Sequence, residues 1–546
     1  MSYMGIPSYF AHVVRRHRTI MKKREAFNRP IDNFYMDCNS LIYDAVRDMG
    51  ARDSTTQEVS TARLIATVCA KIRARVACVR PRKRVMVAFD GVAPVAKLEQ
   101  QRSRRYKSWF HKRVSELIQH KEPGWDTAAI TPGTAFMAQL SQQVRKEFGA
   151  GGDGCGLPSC VIVSPPDVPG EGEHKIYQYI RDHPEDHGNA CTVIYGLDAD
   201  LIMLTLNHLD VCPDMHLYRE APEFAKGLDA SLDPNAAYLL NIPDFGKALA
   251  LDMCPKLGGV SSGGVAISDY IFLCFLLGND FLPHFPALNI RNSGIDRLMS
   301  AYATVVSPTR KCLVDGDVVN WGVVRKLVQH VASREHEYLM EEYKVRDKQA
   351  RRARAPQRNI DDELNATPLR DRTDELYIAP SEDGWQERYY RALFGIEPSQ
   401  ERIREICINY LEGLEWTLRY YTTGCPDWRW TYKYDYPPLL EDLSRFVPAL
   451  GTRLLQLKKP EPVHHLVQLA YVLPCPSLHL LPKTLKQELI QRYPEWYTPD
   501  CHVKTAFCKY TWEGHPQLAH IDLQTLEQTV KSHEETSNDL NSQPCM

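Results

Sequence analysis

Seven acidic residues stand where carboxylates can do chemistry. They are Asp37 in FYMDCNSLIY, Asp90 in VMVAFDGVAP, Glu171 and Glu173 in DVPGEGEHKI, Asp198 and Asp200 in VIYGLDADLIML, and Asp280 in LLGNDFLPH. Each lies in or beside an apolar run, so each is expected where a buried element meets its loop. Gathered in one pocket they repel, since two like charges about 4 Å apart cost roughly 4 kcal/mol at an effective dielectric near 20. Two divalent cations would supply the compensating charge, and an all-oxygen donor set suits Mg²⁺ or Mn²⁺ rather than zinc. Two such ions clamp the attacking and leaving oxygens in a displacement at phosphorus. The residue types therefore imply metal-assisted phosphodiester cleavage.

A second set is cationic. Just after Asp90, DGVAPVAKLEQQRSRR carries Lys97, Gln101, Arg104 and Arg105 at offsets 0, 4, 7 and 8. If 97–113 is helical, these four share one face. Guanidinium and ammonium groups on that face can grip a terminal phosphate through charge-assisted hydrogen bonds.

Both sets need a scaffold that brings distant segments together. Short runs rich in β-branched and aromatic residues predict strands at Phe34–Asp37, Val85–Asp90, Cys160–Ser164 and Cys191–Gly196, with helical stretches between them. That alternation predicts an α/β fold with a mostly parallel, twisted sheet flanked by helices. Such sheets bind ligands beyond the carboxyl ends of their strands, and Asp37, Asp90 and Asp198 end or closely follow strands. Glu171 and Glu173 follow the Pro169-Gly170 turn ahead of a helix near His174. Asp280 follows an apolar helix over Asp269–Leu277. The charged stretch 336–383 is expected to begin helical and become a mobile linker. An aromatic-rich second region follows over 384–530, then a disordered tail over 531–546.

Composition narrows the class. At 546 residues the chain exceeds one ordinary domain, and 66 Lys+Arg against 68 Asp+Glu predict no partner from net charge alone. Sixteen cysteines are scattered without a C-x-x-C pair or a secretory signal, which fits reduced thiols in the cytoplasm or nucleus. No apolar run approaches the ~20 residues needed to cross a bilayer, so no membrane role is expected.

Nine strings in order are specific to one family: MGIPSYF, DGVAPVAKLEQQRSRR, ITPGTAFM, PGEGEHKI, YGLDADLIML, GNDFLPH, GWQERYYR, YLEGLEWTLRYYTTGCPDWRWTY and VLPCPSLHLLP. In them the chain resembles the 5′→3′ exoribonucleases of the Xrn1/Rat1 type, from Met4 to about Asp522. The resemblance implies a PIN/FEN-like nuclease core over 4–335 and a second, mixed, largely helical region walling the active site. It implies processive hydrolysis of single-stranded, 5′-monophosphorylated RNA to nucleoside 5′-monophosphates by a monomer with two Mg²⁺ (or Mn²⁺) ions. The seven acids match the family's metal positions, and Lys97, Gln101, Arg104 and Arg105 match its 5′-phosphate pocket. Family members sandwich the first base between a His and a Trp. Here Tyr43 stands at the His position, and Trp428 and Trp430 are both candidates for the Trp. Met1-Ser2-Tyr3 precede the point where family chains begin. A flap-type 5′ DNA nuclease shares the acids but not the second-region strings. An inactive RNA 5′-end-binding module would not need the full acid set.

Overall fold

Strands buried on both faces are built from near-continuous apolar runs, and four such runs make the centre of this sheet. They are β2 (Asn33–Asp37), β3 (Arg84–Ala88), β4 (Cys160–Ser164) and β5 (Thr192–Tyr195), close to the four expected strands. The computed structural model describes residues 8–52, 61–119, 125–149, 158, 160–220, 233, 236–253, 263–355, 360–449, 451–456 and 461–542. Met1–Tyr3 lie outside them. Three further strands, β1 (Met21–Lys23), β6 (Met215–Glu220) and β7 (Ala237–Asn241), complete the order β1-β7-β6-β5-β2-β3-β4. From β6 to β4 every pairing is parallel, and only β7 runs antiparallel to its neighbours. Asp37 pairs in register with Ala88, and Ala88 with Ser164. The central strands thus end along one edge, at the loops that carry Asp90, Glu171 and Asp198.

Alternate side chains divide between the two faces. Phe34, Met36, Val85 and Val193 enter one core with Leu64 and Leu140, from the helices Thr61–Val79 and Ala135–Phe148. Tyr35, Met86 and Ile194 enter the other, with Ile176, Leu204 and Phe272 from the helices Gly172–Asp182, Asp200–Asn207 and Gly263–Phe275. That second core runs on into the helix Gln400–Thr422 through Tyr410, Leu414 and Trp416. The wall over the strand ends is therefore fixed by shared apolar burial.

Positions 336–383, expected to begin helical and become a mobile linker, begin in the helix Glu335–Ala353 and then hold two more, Ile360–Arg370 and Thr373–Ile378. The charges that suggest solvation are instead spent on one another, because Glu375 accepts from the buried Arg346 and Arg372. The tail expected from 531 continues the helix Leu523–Ser542. Leu526 and Val530, one turn apart, bury that helix against Leu469 and Val472, and His533 hydrogen-bonds Thr484 (2.6 Å). Among the described residues no helix is long and apolar enough to cross a membrane, and every described cysteine is a free thiol.

Candidate active site

The loop after β3 and the loop before the Gly172–Asp182 helix are tied side by side. Gly91 N–H donates to the Gly170 carbonyl (2.9 Å), and Gly170 N–H donates to that of Val92 (2.7 Å). Only glycine permits this approach: a Cβ on Gly91 would stand 1.8 Å from the Val168 oxygen, and one on Gly172 would stand 2.7 Å from Asp37 Oδ1. Gly172 N–H instead donates to Asp90 Oδ1 (2.7 Å). Asn39 clasps Asp90 from the β2 side, donating its side-chain amide to the carboxylate and accepting the Asp90 N–H (3.1 Å). Across the mouth, Lys97 Nζ bridges Glu171 Oε2 (2.6 Å) and Asp280 Oδ2 (2.5 Å). Glu173, Asp198 and Asp200 close the group by acting on one another and on Glu171 and Asp280. The fold brings all seven acids to one place.

Their crowding shows in their acidity. Burial, and then neighbouring carboxylates, hold Asp37, Glu173 and Asp200 well above the usual carboxylate range. Burial also raises Glu171 and Asp198, while the Lys97 ammonium pulls both back. One ammonium leaves the group short of positive charge. Glu173 Oε2 is buried without a hydrogen-bond partner, and every acid offers hard oxygen donors. Such a set fits hard divalent cations. Neither Glu171 nor Asp200 serves merely as a helix cap. Glu171 is at an N-cap but makes no capping hydrogen bond; its Oε1 accepts from Tyr420 OH (2.8 Å), and Asp200 hydrogen-bonds Tyr421. Cys191, Asp214 and His216 also cluster within 4.8 Å, at the opposite edge of the sheet. Arg29 already donates to both Asp214 oxygens, so that group is internally satisfied.

The cationic face lies on the helix Val95–Gln119. Gln101, Arg104 and Arg105 line a cavity of about 690 Å³ whose wall also includes Asp37, Asp90, Glu171, Glu173 and Asp198. Lys97, expected in the phosphate grip, ion-pairs with the carboxylates of Glu171 and Asp280. It sits in the helix's first turn, and helical side chains lean toward the N-terminus, which here faces Glu171 and Asp280. Arg105 donates to the carbonyls of Ala128 and Ile130 (both 3.2 Å), and burial lowers its pKa to about 10. Tyr43 borders the same cavity. Of the two tryptophans, Trp430 is core, with its ring stacked on Trp416 at 5.3 Å. Trp428 is half-buried, and its carbonyl accepts the Val95 N–H (3.0 Å) where the basic helix begins.

This arrangement agrees with what the chain matches. The family described as XRN 5'-3' exonuclease N-terminus matches residues 4–221, and the Xrn1 helical domain matches 264–376 and 370–543. The chain belongs to the XRN 5′-3′ exonuclease family. It is 28% identical to the 5'-3' exoribonuclease 2 homolog of Drosophila melanogaster, over 95% of this chain and 70% of that protein. It is 26% identical to 5'-3' exoribonuclease 2 of Debaryomyces hansenii, over 95% and 69%. It is 26% identical to 5'-3' exoribonuclease 2 of Arabidopsis thaliana, over 95% and 66%.

Sequence reading alone missed several residues of this XRN site. Tyr420 and Tyr421 end the helix Gln400–Thr422 and reach Glu171 and Asp200 from the second region. His174 stacks on Tyr420 with centroids 3.7 Å apart. Lys175 donates to the carbonyls of Phe89 (2.8 Å) and Pro165 (3.0 Å), holding the backbone next to Asp90, and burial lowers its pKa to about 8. The Tyr-Tyr pair lies within the string YLEGLEWTLRYYTTGCPDWRWTY, but nothing local in it marks a phenol that faces a carboxylate.

Proposed function

We propose that this chain, a 5′→3′ exoribonuclease by family, hydrolyses 5′-monophosphorylated single-stranded RNA processively, as a monomer, releasing nucleoside 5′-monophosphates. Asp37, Asp90, Glu171, Glu173, Asp198, Asp200 and Asp280 would hold two Mg²⁺ (or Mn²⁺) ions. When bound, such ions lower the pKa of a water and stabilise the attacking and leaving oxygens. The chain's own residues orient the substrate. Arg104 and Gln101 take the terminal phosphate, with Arg105 behind them. Tyr43 offers one aromatic face to the first base, and Trp428 is the candidate for the other. The free thiols suit a reducing compartment, and the reading assigns the enzyme to the cytoplasm or nucleus. The observation that carries the reading is that one cavity borders both the acid cluster and the arginine face.

The direct test is a time course on 5′-monophosphate, 5′-hydroxyl and 5′-triphosphate RNA, and on DNA, with magnesium or chelator. Only monophosphorylated RNA should fall to mononucleotides, and only with the metal. Equal rates on DNA would favour a flap-type enzyme instead. Arg104→Ala should cut the preference for 5′-phosphate over 5′-hydroxyl ends about tenfold or more, since a hydrogen bond to a charged group contributes about 1.5–3 kcal/mol. An unchanged preference would remove Arg104 from the pocket. Tyr421→Phe removes the hydroxyl that orients Asp200, and outer partners of metal ligands typically matter about 10–100-fold. Manganese affinity, read by calorimetry, should weaken on that scale; wild-type affinity would reduce Tyr421 to packing.

A further inference from the structure

A second cavity, of about 780 Å³, borders another face of the helix that carries the phosphate grip. Gln100, Arg104 and Lys107, at spacings of four and three, line it, while Gln101, Arg104 and Arg105 line the first. At 3.6 residues per turn the two faces stand about a quarter turn apart. Arg104 lies between them and belongs to both walls, and Asp280 borders the second cavity as well. The size suits a small ligand, since such sites enclose about 300–1,000 Å³.

Charge in this wall is unevenly matched. Its acids are engaged: Glu99 accepts from Tyr471 OH, Glu513 pairs with Arg291 (2.5 Å), Asp280 pairs with Lys97, and Asp435 accepts from Gln517 (2.9 Å). Lys107 has no carboxylate within ion-pair distance among the described residues, and its ammonium donates to the Gly514 carbonyl (2.8 Å). Burial lowers its pKa to about 8, as befits a cation with too little negative charge beside it. Gln100 Oε1, Asn279 Nδ2 and Tyr436 OH, in the same wall, make no hydrogen bond to protein. An aromatic platform completes the lining. Trp512, 37% exposed, stacks on Tyr510 with centroids 5.5 Å apart and planes at 15°. Arg291 and Lys509 back Tyr510 at 5.6 and 5.0 Å from its centroid. Lys107, tied to Gly514, thus stands close in the chain fold to an exposed indole.

A processive enzyme discharges each nucleotide while the shortened strand still fills the acid side. The free direction for the product is past the former 5′ end. There Lys107 follows Arg104 by about one turn, or about 4.5 Å along the helix axis, so a phosphate released by one cation meets the next. We propose that the second cavity receives the released nucleoside 5′-monophosphate while the strand stays bound, with Lys107 on its phosphate and Trp512 stacked on its base. An ammonium beside an exposed aromatic face suits a phosphate joined to a base of any identity. The inference rests on the reading of Arg104 as the terminal-phosphate grip and of hydrolysis as processive.

The test fills the active site of the full chain with a non-hydrolysable 5′-monophosphorylated oligomer in magnesium, then titrates AMP by calorimetry. The wild type should still bind one AMP. Lys107→Gln and Trp512→Ala should each weaken that binding about tenfold, the scale of one lost hydrogen bond to a charged group or one lost stacked base. Lys107→Arg should restore most of it. Trp512 is exposed, so its variant tests the site even where Lys107→Gln disturbs the tie to Gly514. Adenosine and inorganic phosphate, each carrying part of the ligand, should bind about tenfold or more weakly than AMP. No AMP binding once the oligomer is in place, or wild-type affinity in both Lys107→Gln and Trp512→Ala, overturns the inference. Inorganic phosphate binding as tightly as AMP overturns it too, since the base would then contribute nothing. Failure of the active-site reading shows separately, as equal affinity for 5′-monophosphate and 5′-hydroxyl oligomers, and it takes the product site with it.

Discussion

Asp198→Asn should abolish hydrolysis while leaving RNA binding measurable and the fold as stable as the wild type or more so. Asp198 follows β5, where burial raises its pKa, Lys97 pulls it back, and Asp280 raises it again against the weaker pull of Arg104 and Arg219. If its carboxylate helps to hold the cations, removing it withdraws several kcal/mol of transition-state stabilisation, at least about a thousandfold in rate. Stability should move the other way. The acids of this cluster bind protons more tightly folded than unfolded, because burial and mutual repulsion raise their pKa. As pH rises above the ordinary carboxylate value, the unfolded chain gives up these protons first. The folded state then binds more protons than the unfolded one, and stability falls with rising pH. In chelator, the neutral amide should make that fall shallower, read as melting temperature from about pH 5 to pH 8. Magnesium should stabilise the wild type and stabilise Asp198→Asn less. Near wild-type turnover in Asp198→Asn would refute the metal assignment.

What could be read from the chain, and what could not, divides along one physical line. A strand buried on both faces announces itself locally, and an acid at its carboxyl end inherits a position from the topology. Asp37, Asp90 and Asp198 were legible for that reason. The strand β6, MHLYRE, carries polar residues at a position shielded by something distant in sequence: buried Arg219 lies over the Phe10 ring at 4.0 Å. Nothing in six residues reveals such a partner. The helix face of Lys97 is legible but its ion pairs with Glu171 and Asp280 are not, because face is periodic whereas reach depends on where the helix begins. Tyr420 and Tyr421 were unreadable in a stricter sense. A phenol that holds a carboxylate and one that fills a core have the same local sequence, and only the packing of one region on the other tells them apart. The charged stretch 336–383 erred in the opposite direction, since its composition reads as solvated when its charges pair with one another. The common element is pairing at long range, which periodicity cannot register.

That mispairing of composition and structure leads to the largest stability effect expected in this molecule. Glu375 is 0% exposed, and Arg346, 1% exposed, donates to it through Nε (2.8 Å). Arg372 adds a second donor (2.5 Å), and the Phe507 N–H a third (2.9 Å). Arg346 also reaches the Cys508 carbonyl (3.0 Å), so one carboxylate joins the helices of 336–383 to the strip near 507. Glu375→Gln keeps the shape, removes the charge and leaves two buried guanidinium groups under-compensated. Breaking one partner of a buried pair typically costs about 3–5 kcal/mol, and added salt cannot screen charges out of reach of water. The first transition in a denaturant series should shift by that amount in Glu375→Gln. Replacing the group as a unit, with Arg346→Met, Arg372→Leu and Glu375→Leu together, should recover most of the loss, because apolar packing of similar volume often matches a buried ion pair. If Glu375→Gln unfolds at the wild-type midpoint, the buried pair contributes nothing. The helices of 336–383 would then be held by their apolar contacts alone.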